Sequence, residues 1–124
     1  MSINFGKTFI VGFEGEESIE TLIGKLLTAK SQTLATAESC TGGGISRLIT
    51  SVPGASKYFM GSVVSYNELI KINVLGVLEK TIKESSVVSA AVAEEMAKGV
   101  QKLYKTDYAI SVTGNAGPTT DNTD

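Results

Sequence analysis

The spacing of apolar residues along the chain predicts two long amphipathic helices. After Ser18 and again after Ser89, apolar residues recur every three or four positions, which is the spacing of one face of a helix. Each serine is placed to act as the N-cap of its helix. Shorter helices are predicted over residues 45–49 and over residues 67–75, where Gly76 would serve as the C-cap. The apolar positions of the long helices are Ile19, Leu22, Ile23, Leu26 and Leu27 in the first and Val92, Met96, Val100 and Leu103 in the second.

Runs of β-favouring residues lie between these helices and predict strands over residues 33–37, 58–66 and 107–112. A further short extended piece is predicted over residues 7–12. Strands that alternate with helices favour an α/β architecture with a layered sheet. In such folds ligands bind at the carboxyl ends of the strands, so the loops that follow the strands are the candidate sites.

Two of these loops are rich in glycine. Ser39-Cys40-Thr41-Gly42-Gly43-Gly44 follows the strand at residues 33–37, and Thr113-Gly114-Asn115-Ala116-Gly117-Pro118 follows the strand at residues 107–112. A strand that ends in small hydroxyl and thiol residues before a helix places these groups beside free backbone N–H donors. That arrangement suits a nucleophile or a bound anion, and we expect both loops to face one crevice.

Composition argues against several classes of function. A chain of 124 residues with 42% apolar residues fits one globular domain. The net charge is -2 and the lysines are scattered, which does not favour direct nucleic-acid binding. A single cysteine and the absence of an apolar run near the roughly 20 residues of a membrane span indicate a cytoplasmic protein without membrane contact. One cysteine, no histidine and no close carboxylate cluster argue against a metal site.

The lack of histidine also limits serine chemistry. A Ser-His-Asp mechanism is excluded, so Ser39 needs another base, and lysine is the leading candidate. Each candidate has an ordinary alternative. Ser39 could cap the following helix, Lys71 could be a solvated helix lysine, and Tyr66 could be a strand-end aromatic. Cys40 is interpreted as a packed small residue, because no cationic partner lies near it in sequence.

Several separated motifs resemble, in order along the chain, the CinA C-terminal domain family. They are Ala37-Glu38-Ser39-Cys40-Thr41-Gly42-Gly43, then Gly61-Ser62-Val63-Val64-Ser65-Tyr66 with Lys71, Leu75-Gly76-Val77, Val88-Ser89, and Thr113-Gly114-Asn115-Ala116-Gly117-Pro118. The similarity runs from about Ser18 to Pro118. That family includes nicotinamide-nucleotide amidases, which hydrolyse the carboxamide of nicotinamide mononucleotide to nicotinate mononucleotide and ammonia. The resemblance implies a three-layer α/β/α sandwich around a mostly parallel or mixed sheet.

The resemblance also implies a role for each candidate residue. Ser39 would attack the amide carbon, with Lys71 as its general base and as the proton donor to the departing ammonia. Tyr66 would orient the lysine or the substrate. The remaining candidates are main-chain donors for the oxyanion and for the phosphate or ribose of the mononucleotide, and the sequence leaves open which loop does which: Thr41, Gly42 and Gly43 in the first loop and Thr113, Gly114, Ala116 and Gly117 in the second. No cofactor is implied.

The resemblance divides the chain into a connector at residues 1–17 and an amidase domain at residues 18–124. The family domain continues into a further strand and a C-terminal helix, so we expect this chain to be a fragment. Its parent protein could carry an N-terminal domain that resembles molybdopterin-binding domains. An incomplete sheet exposes an edge, which favours a homo-oligomer. The alternatives to an amidase are a noncatalytic nucleotide-binding or regulatory module and, following the family's association with competence and DNA damage, an interaction protein.

Overall fold

The computed structural model describes residues 2–5 and 17–114, and these form a mixed sheet with helices on both of its faces. In chain order the elements are β1 (Ser2–Phe5), α1 (Ile19–Lys30), β2 (Leu34–Glu38), α2 (Gly44–Thr50), a 3-10 turn (Ala55–Lys57), β3 (Phe59–Val64), α3 (Glu68–Asn73), α4 (Glu79–Ser85), α5 (Ala90–Tyr104) and β4 (Tyr108–Thr113). The strand order is β1-β4-β2-β3. Strands β4, β2 and β3 are parallel neighbours, whereas β1 pairs antiparallel with β4. The three parallel strands therefore place their carboxyl ends at one edge of the sheet.

Alternation along the strands separates two apolar clusters. Ala35, Ala37 and Ala109 belong to the cluster formed with α5 and the segment after α3. Leu34 and Ile110 belong to the cluster formed with α1, α2 and the 3-10 turn. Because successive side chains of a strand point to opposite faces, the two clusters lie on opposite faces of the sheet. The expected three-layer α/β/α sandwich with a mixed sheet is confirmed.

Both predicted N-caps of the long helices are confirmed. The Ser18 side chain accepts a hydrogen bond from the Thr21 N–H in α1, and the Ser89 side chain accepts one from the Val92 N–H in α5. These bonds satisfy backbone donors that the first turn of a helix leaves unpaired. Ser18 and Ser89 therefore fix where α1 and α5 begin.

The sequence pattern does not predict α4. Its sequence is Glu79-Lys80-Thr81-Ile82-Lys83-Glu84-Ser85, which contains one apolar residue. The helix is instead held by Glu95 of α5, whose carboxylate accepts hydrogen bonds from the Leu78 N–H at 2.8 Å and from the Thr81 hydroxyl at 2.6 Å. A contact of this kind depends on tertiary structure and leaves no periodic signal in the sequence.

Strand boundaries differ from the predicted ones by one or two residues. β2 includes Glu38, β3 ends before Ser65 and Tyr66, and β4 extends to Thr113. The strand predicted over residues 7–12 lies outside the described residues. The structure has a further strand, β1 at Ser2–Phe5, which the sequence pattern did not predict. Across residues 2–5 and 17–114, none of the helices combines the length and the apolar character that crossing a bilayer requires.

Candidate active site

The carboxyl edge of the sheet brings Ser39 and Lys71 into contact. Ser39 directly follows β2 and is 6% exposed, and Lys71 lies in α3 and is 2% exposed. The Lys71 Nζ lies 2.9 Å from the Ser39 Oγ. α3 begins immediately after the loop that leaves β3, because the Asn67 side chain accepts a hydrogen bond from the Leu69 N–H at 2.8 Å and caps the helix. This short connection returns Lys71 over the end of β2.

Burial controls the state of the Lys71 amine. Desolvation lowers the pKa of Lys71 from its ordinary value, and the side chains of Glu68 and Cys40 partly oppose this by raising it. The Nζ also donates a hydrogen bond to the Ser65 carbonyl oxygen. Both of these hydrogen-bond partners, the Ser39 hydroxyl and the Ser65 carbonyl, are uncharged. A neutral amine in this position can accept the proton of the Ser39 hydroxyl.

These contacts decide between the alternatives for Ser39 and Lys71. The N-cap of α2 is Gly43, which has no side chain to cap with, so Ser39 does not cap this helix. The Lys71 side chain is buried, so it is not a solvated helix lysine. Cys40, half-buried next to Ser39, is close enough to Lys71 to influence its pKa, a proximity that sequence distance does not reveal.

The turn after Ser39 leaves backbone donors free. The Gly42 N–H donates to the Ser39 carbonyl at 3.0 Å, and the Gly44 N–H donates to the Thr41 carbonyl at 3.1 Å. Gly42 and Gly43 have φ values of 60° and 102°, which L-residues adopt only with strain. The N–H groups of Cys40, Thr41 and Gly43 have no hydrogen-bond acceptor within the described ranges. Thr41 and Gly43 therefore remain available as oxyanion donors, and the Gly42 N–H does not.

Glu38, the residue before Ser39, is a buried carboxylate that sequence reasoning did not single out. It is 0% exposed. One oxygen, Oε1, accepts hydrogen bonds from the Thr41 hydroxyl at 2.8 Å and the Ile45 N–H at 2.7 Å. The other, Oε2, accepts from the Ser46 N–H at 2.9 Å and from the Ser46 hydroxyl. A glutamate that ends β2, whose other residues carry no charge, beside a glycine-rich turn is the signal that could have indicated a buried carboxylate here.

The carboxyl group of Glu38 is ionised. Burial raises its pKa, but the hydrogen bonds from Ser46, Thr41 and Ile45 together outweigh burial, so that the pKa lies below its ordinary value. The first backbone N–H groups of α2 are therefore occupied by a negative charge from within the chain. They are not available to a substrate phosphate.

The other predicted site residues lie at the same edge in different settings. Tyr66 follows β3 and is 77% exposed, and the hydrogen bonds of Lys71 within the described part go to Ser39 and Ser65. Thr113 ends β4, is 1% exposed, and donates its hydroxyl to the Val87 carbonyl at 3.0 Å. Gly114 follows it beside the end of β2. The last two predicted residues, Ala116 and Gly117, lie outside the described residues.

Metal-ligating side chains do not gather at this site. Over residues 2–5 and 17–114, no three residues of the His, Cys, Asp and Glu types lie close enough together to hold an ion.

The protein is an α/β sandwich in which a buried serine and a buried lysine meet at the end of the central parallel strand, β2. Comparison with known proteins shows which family has this fold. Residues 16–124 match the family described as the CinA C-terminal domain. The chain belongs to the CinA C-terminal domain family. It is 59% identical over 109 residues to a CinA-like protein of Flavobacterium psychrophilum, covering 88% of this chain and 26% of the relative. It is 48% identical over 103 residues to a CinA-like protein of a Cyanothece species, covering 83% of this chain and 25% of the relative.

Solved structures show the same fold. The competence damage-inducible protein A of Klebsiella pneumoniae superposes with a TM-score of 0.81 at 34% identity, covering 84% of this chain and 65% of that chain. A competence-damaged protein (CinA) superfamily protein of Escherichia coli superposes with a TM-score of 0.81 at 30% identity, covering 84% and 60%. The chain therefore spans about a quarter of the length of the curated relatives it matches and under two thirds of these structures.

Proposed function

We propose that this chain is an amidase domain that hydrolyses the carboxamide of nicotinamide mononucleotide to nicotinate mononucleotide and ammonia. The observation that carries the proposal is the 2.9 Å contact between the Ser39 Oγ and the Nζ of a buried Lys71. Membership of the CinA C-terminal domain family supports the choice of substrate, since nicotinamide-nucleotide amidases belong to this family. The chemistry needs no histidine, which this chain lacks.

Acylation begins when neutral Lys71 takes the proton of the Ser39 hydroxyl and the oxygen bonds to the carboxamide carbon. The carbonyl oxygen becomes an oxyanion as the C=O electron pair moves onto it. We assign the N–H groups of Thr41 and Gly43, which have no acceptor among the described residues, as its donors, and one well-placed donor contributes roughly 3 to 4 kcal/mol to transition-state stability. The Lys71 ammonium then gives its proton to the amide nitrogen, the C–N bond breaks, and ammonia leaves.

Deacylation repeats these steps with water. Lys71 is neutral again after ammonia departs, so it can take a proton from a water molecule that attacks the acyl carbon of Ser39. Collapse of the second tetrahedral intermediate breaks the bond to the Ser39 Oγ, which recovers its proton from Lys71. The product acid gives its remaining proton to water and leaves as the carboxylate, and the hydroxyl and the neutral amine are restored.

The position of the substrate follows from which backbone N–H groups after the first loop are already hydrogen-bonded. Because Glu38 occupies the N–H groups of Ile45 and Ser46, we assign the first loop to the oxyanion and the loop after β4 to the phosphate or ribose. Tyr66 is exposed at the same edge, where its hydroxyl can meet the substrate. The contributions of Ala116 and Gly117, and the association of the chain into homo-oligomers, stay predictions.

The test is release of ammonia and nicotinate mononucleotide from nicotinamide mononucleotide. We expect Ser39→Ala and Lys71→Ala each to lower kcat by about 1000-fold or more. The matched controls are Ser56→Ala and Lys83→Ala, which change the same residue types at exposed positions and should retain full activity. Activity that survives either site substitution contradicts the mechanism. A wild type that is stabilised against heat by the mononucleotide but never turns it over would instead be the noncatalytic binding module.

A further inference from the structure

We propose that Glu38 is a positioning residue of this site, which holds the Ser39–Gly43 turn so that the N–H groups of Thr41 and Gly43 face the reacting carbonyl. The inference rests on the proposed amidase function and deepens it. Glu38 touches neither the substrate nor the reacting atoms in this account. It acts by holding the turn, through one hydrogen bond from a residue inside the turn and others from the residues that follow it.

The contacts of Glu38 span the turn. Its Oε1 binds the Thr41 hydroxyl, inside the turn, and the Ile45 N–H, just after it. Its Oε2 binds the N–H and hydroxyl of Ser46 one residue further. The donors proposed for the oxyanion lie between these attachment points. A carboxylate that accepts several charge-assisted hydrogen bonds therefore fixes the turn in the conformation that leaves the Gly43 N–H unpaired.

Strand alternation keeps this negative charge away from the base. Glu38 shares its face of β2 with Leu34, whose cluster includes α1 and α2. Ser39 is the next residue and meets Lys71 instead. The side chains that raise the pKa of Lys71 are those of Glu68 and Cys40, and Glu38 is not among them. The site thus holds an ionised carboxylate one residue from the nucleophile without stabilising the ammonium form of the lysine.

Glutamine cannot replace Glu38 in this position. Each carboxylate oxygen accepts one backbone N–H, from Ile45 on one side and from Ser46 on the other. An amide has one oxygen and one NH₂ group, so in either orientation its NH₂ faces a backbone N–H donor. Glu38→Gln should therefore release one side of the turn while keeping the size of the side chain.

The test follows the rate at which a fluorophosphonate modifies Ser39. In this reaction the Oγ bonds to phosphorus, fluoride leaves, and the hydroxyl proton passes to Lys71. The transition state of this reaction places negative charge on the phosphoryl oxygen, where the oxyanion would lie, so its rate reports both activation and oxyanion stabilisation. We expect Glu38→Gln to lower the limiting rate at high pH about 100-fold, without moving the pH at which the rate is half-maximal. With nicotinamide mononucleotide, kcat should fall in parallel while KM stays within twofold.

The control is Glu94→Gln, the same change at an exposed position in α5 where Glu94 pairs with Lys98 at 2.9 Å. It should react like the wild type. If Glu38→Gln does not fold, Thr41→Val takes its place as the test variant. It removes the hydroxyl that donates to the Glu38 carboxylate and keeps the backbone N–H of residue 41. We expect Thr41→Val to lower the limiting rate about tenfold, because it removes one hydrogen bond to a charged group.

Two results overturn the role of Glu38. One is a folded Glu38→Gln variant, or a Thr41→Val variant in its place, whose limiting rate stays within twofold of the wild type. The other is a smaller modified fraction with an unchanged rate constant, which would mean that Glu38 only stabilises the fold. A wild type that is modified at Ser39 but releases no ammonia contradicts the proposed substrate alone, and the role of Glu38 is then judged from modification. A wild type that does neither contradicts both.

Discussion

The amine of Lys71 lies 2.9 Å from the hydroxyl oxygen of Ser39, although 32 positions separate the two residues in sequence. The sheet produces this contact. β2 and β3 are parallel, and their pairing continues past the strand ends, where the Ser65 N–H donates to the Glu38 carbonyl at 2.7 Å. α3 starts three residues later and carries Lys71 back to the end of β2. The pairing therefore depends on short connections at one edge and not on a local sequence motif.

The exposed carboxylate of Glu68 should shift the pH at which the proposed amidase becomes active. It raises the pKa of Lys71, so Glu68→Gln should lower that pKa. Since activity requires the neutral amine, kcat/KM rises with pH through the Lys71 pKa, and the variant should reach its limiting value at lower pH than the wild type. The measurement is kcat/KM for nicotinamide mononucleotide across the pH range. Glu84→Gln, the same change on exposed α4, should leave the profile in place, and a profile shifted to higher pH in Glu68→Gln would contradict the assignment.

Burial of Lys71 should also make the free energy of unfolding depend on pH. The folded-state pKa of Lys71 lies below the ordinary value of 10.5. Between these two values the unfolded chain holds a proton that the folded chain does not, so the free energy of unfolding rises with pH, by at most about 1.4 kcal/mol per pH unit. Below the folded-state pKa this contribution is flat. Lys71→Met should remove the rise, as measured by urea unfolding over a pH series.

Comparison of the wild type with Lys71→Met isolates the contribution of Lys71 to the pH dependence of stability. Burial raises the pKa of Tyr58, which therefore also contributes to the pH dependence in the alkaline range. Tyr58 is present in both proteins, so its effect cancels in the difference. Parallel stability curves for the wild type and Lys71→Met would show that the lysine titrates alike in the folded and unfolded chains.

The two turn glycines should differ in their tolerance of a side chain. Gly42, with φ of 60°, lies in the left-handed region that L-residues enter at a cost of about 1 to 2 kcal/mol. Gly43, with φ of 102°, lies beyond the φ of about 50° to 70° that L-residues adopt in this region, and its added Cβ would approach the Val64 Cγ2 only to 3.6 Å, so backbone strain and not crowding opposes substitution. We expect Gly43→Ala to lower kcat about 100-fold by displacing an oxyanion donor, and Gly42→Ala to lower it less than tenfold. Equal losses would indicate that the Gly43 N–H is not an oxyanion donor.

Gly99 should be needed for the packing of α5 against the chain after α3. A Cβ there would lie 1.9 Å from the Leu75 carbonyl oxygen, so Gly99→Ala must push the two segments apart. We expect a loss of about 2 to 3 kcal/mol in the free energy of unfolding, as for other overpacked sites. Urea unfolding measures it, with Lys102→Ala on the exposed side of the same helix as the reference. A loss below about 0.5 kcal/mol would mean that the helix moves at little cost.

The elements that carry their own periodicity could be predicted from sequence. α1 and α5 have a continuous apolar face and serine caps, so their positions follow from local interactions. The parallel strands follow from their β-favouring runs and the loops that end them. α4 could not be predicted in this way, because Glu95 of another helix fixes its start.

The candidate site, like the fold, could be predicted from sequence only in part. Ser39 and Lys71 could be selected from the lack of histidine and the family motifs, but only the tertiary structure shows that Lys71 is buried and that its amine reaches Ser39. The role of Glu38 was hidden because a glutamate at a strand end is usually solvated. The partners through which it holds the turn are three, seven and eight residues away and come together only when the turn and α2 have formed.

The most direct test of the account is a titration of the Lys71 amine itself by ¹⁵N nuclear magnetic resonance of lysine side chains. Comparison with Lys71→Met assigns the signal. The account predicts that this amine loses its proton well below the pH at which the exposed lysines do, and that the same pH governs the rate of amide hydrolysis. An amine at position 71 that stays protonated as long as the exposed lysines would contradict the claim that a neutral lysine activates Ser39.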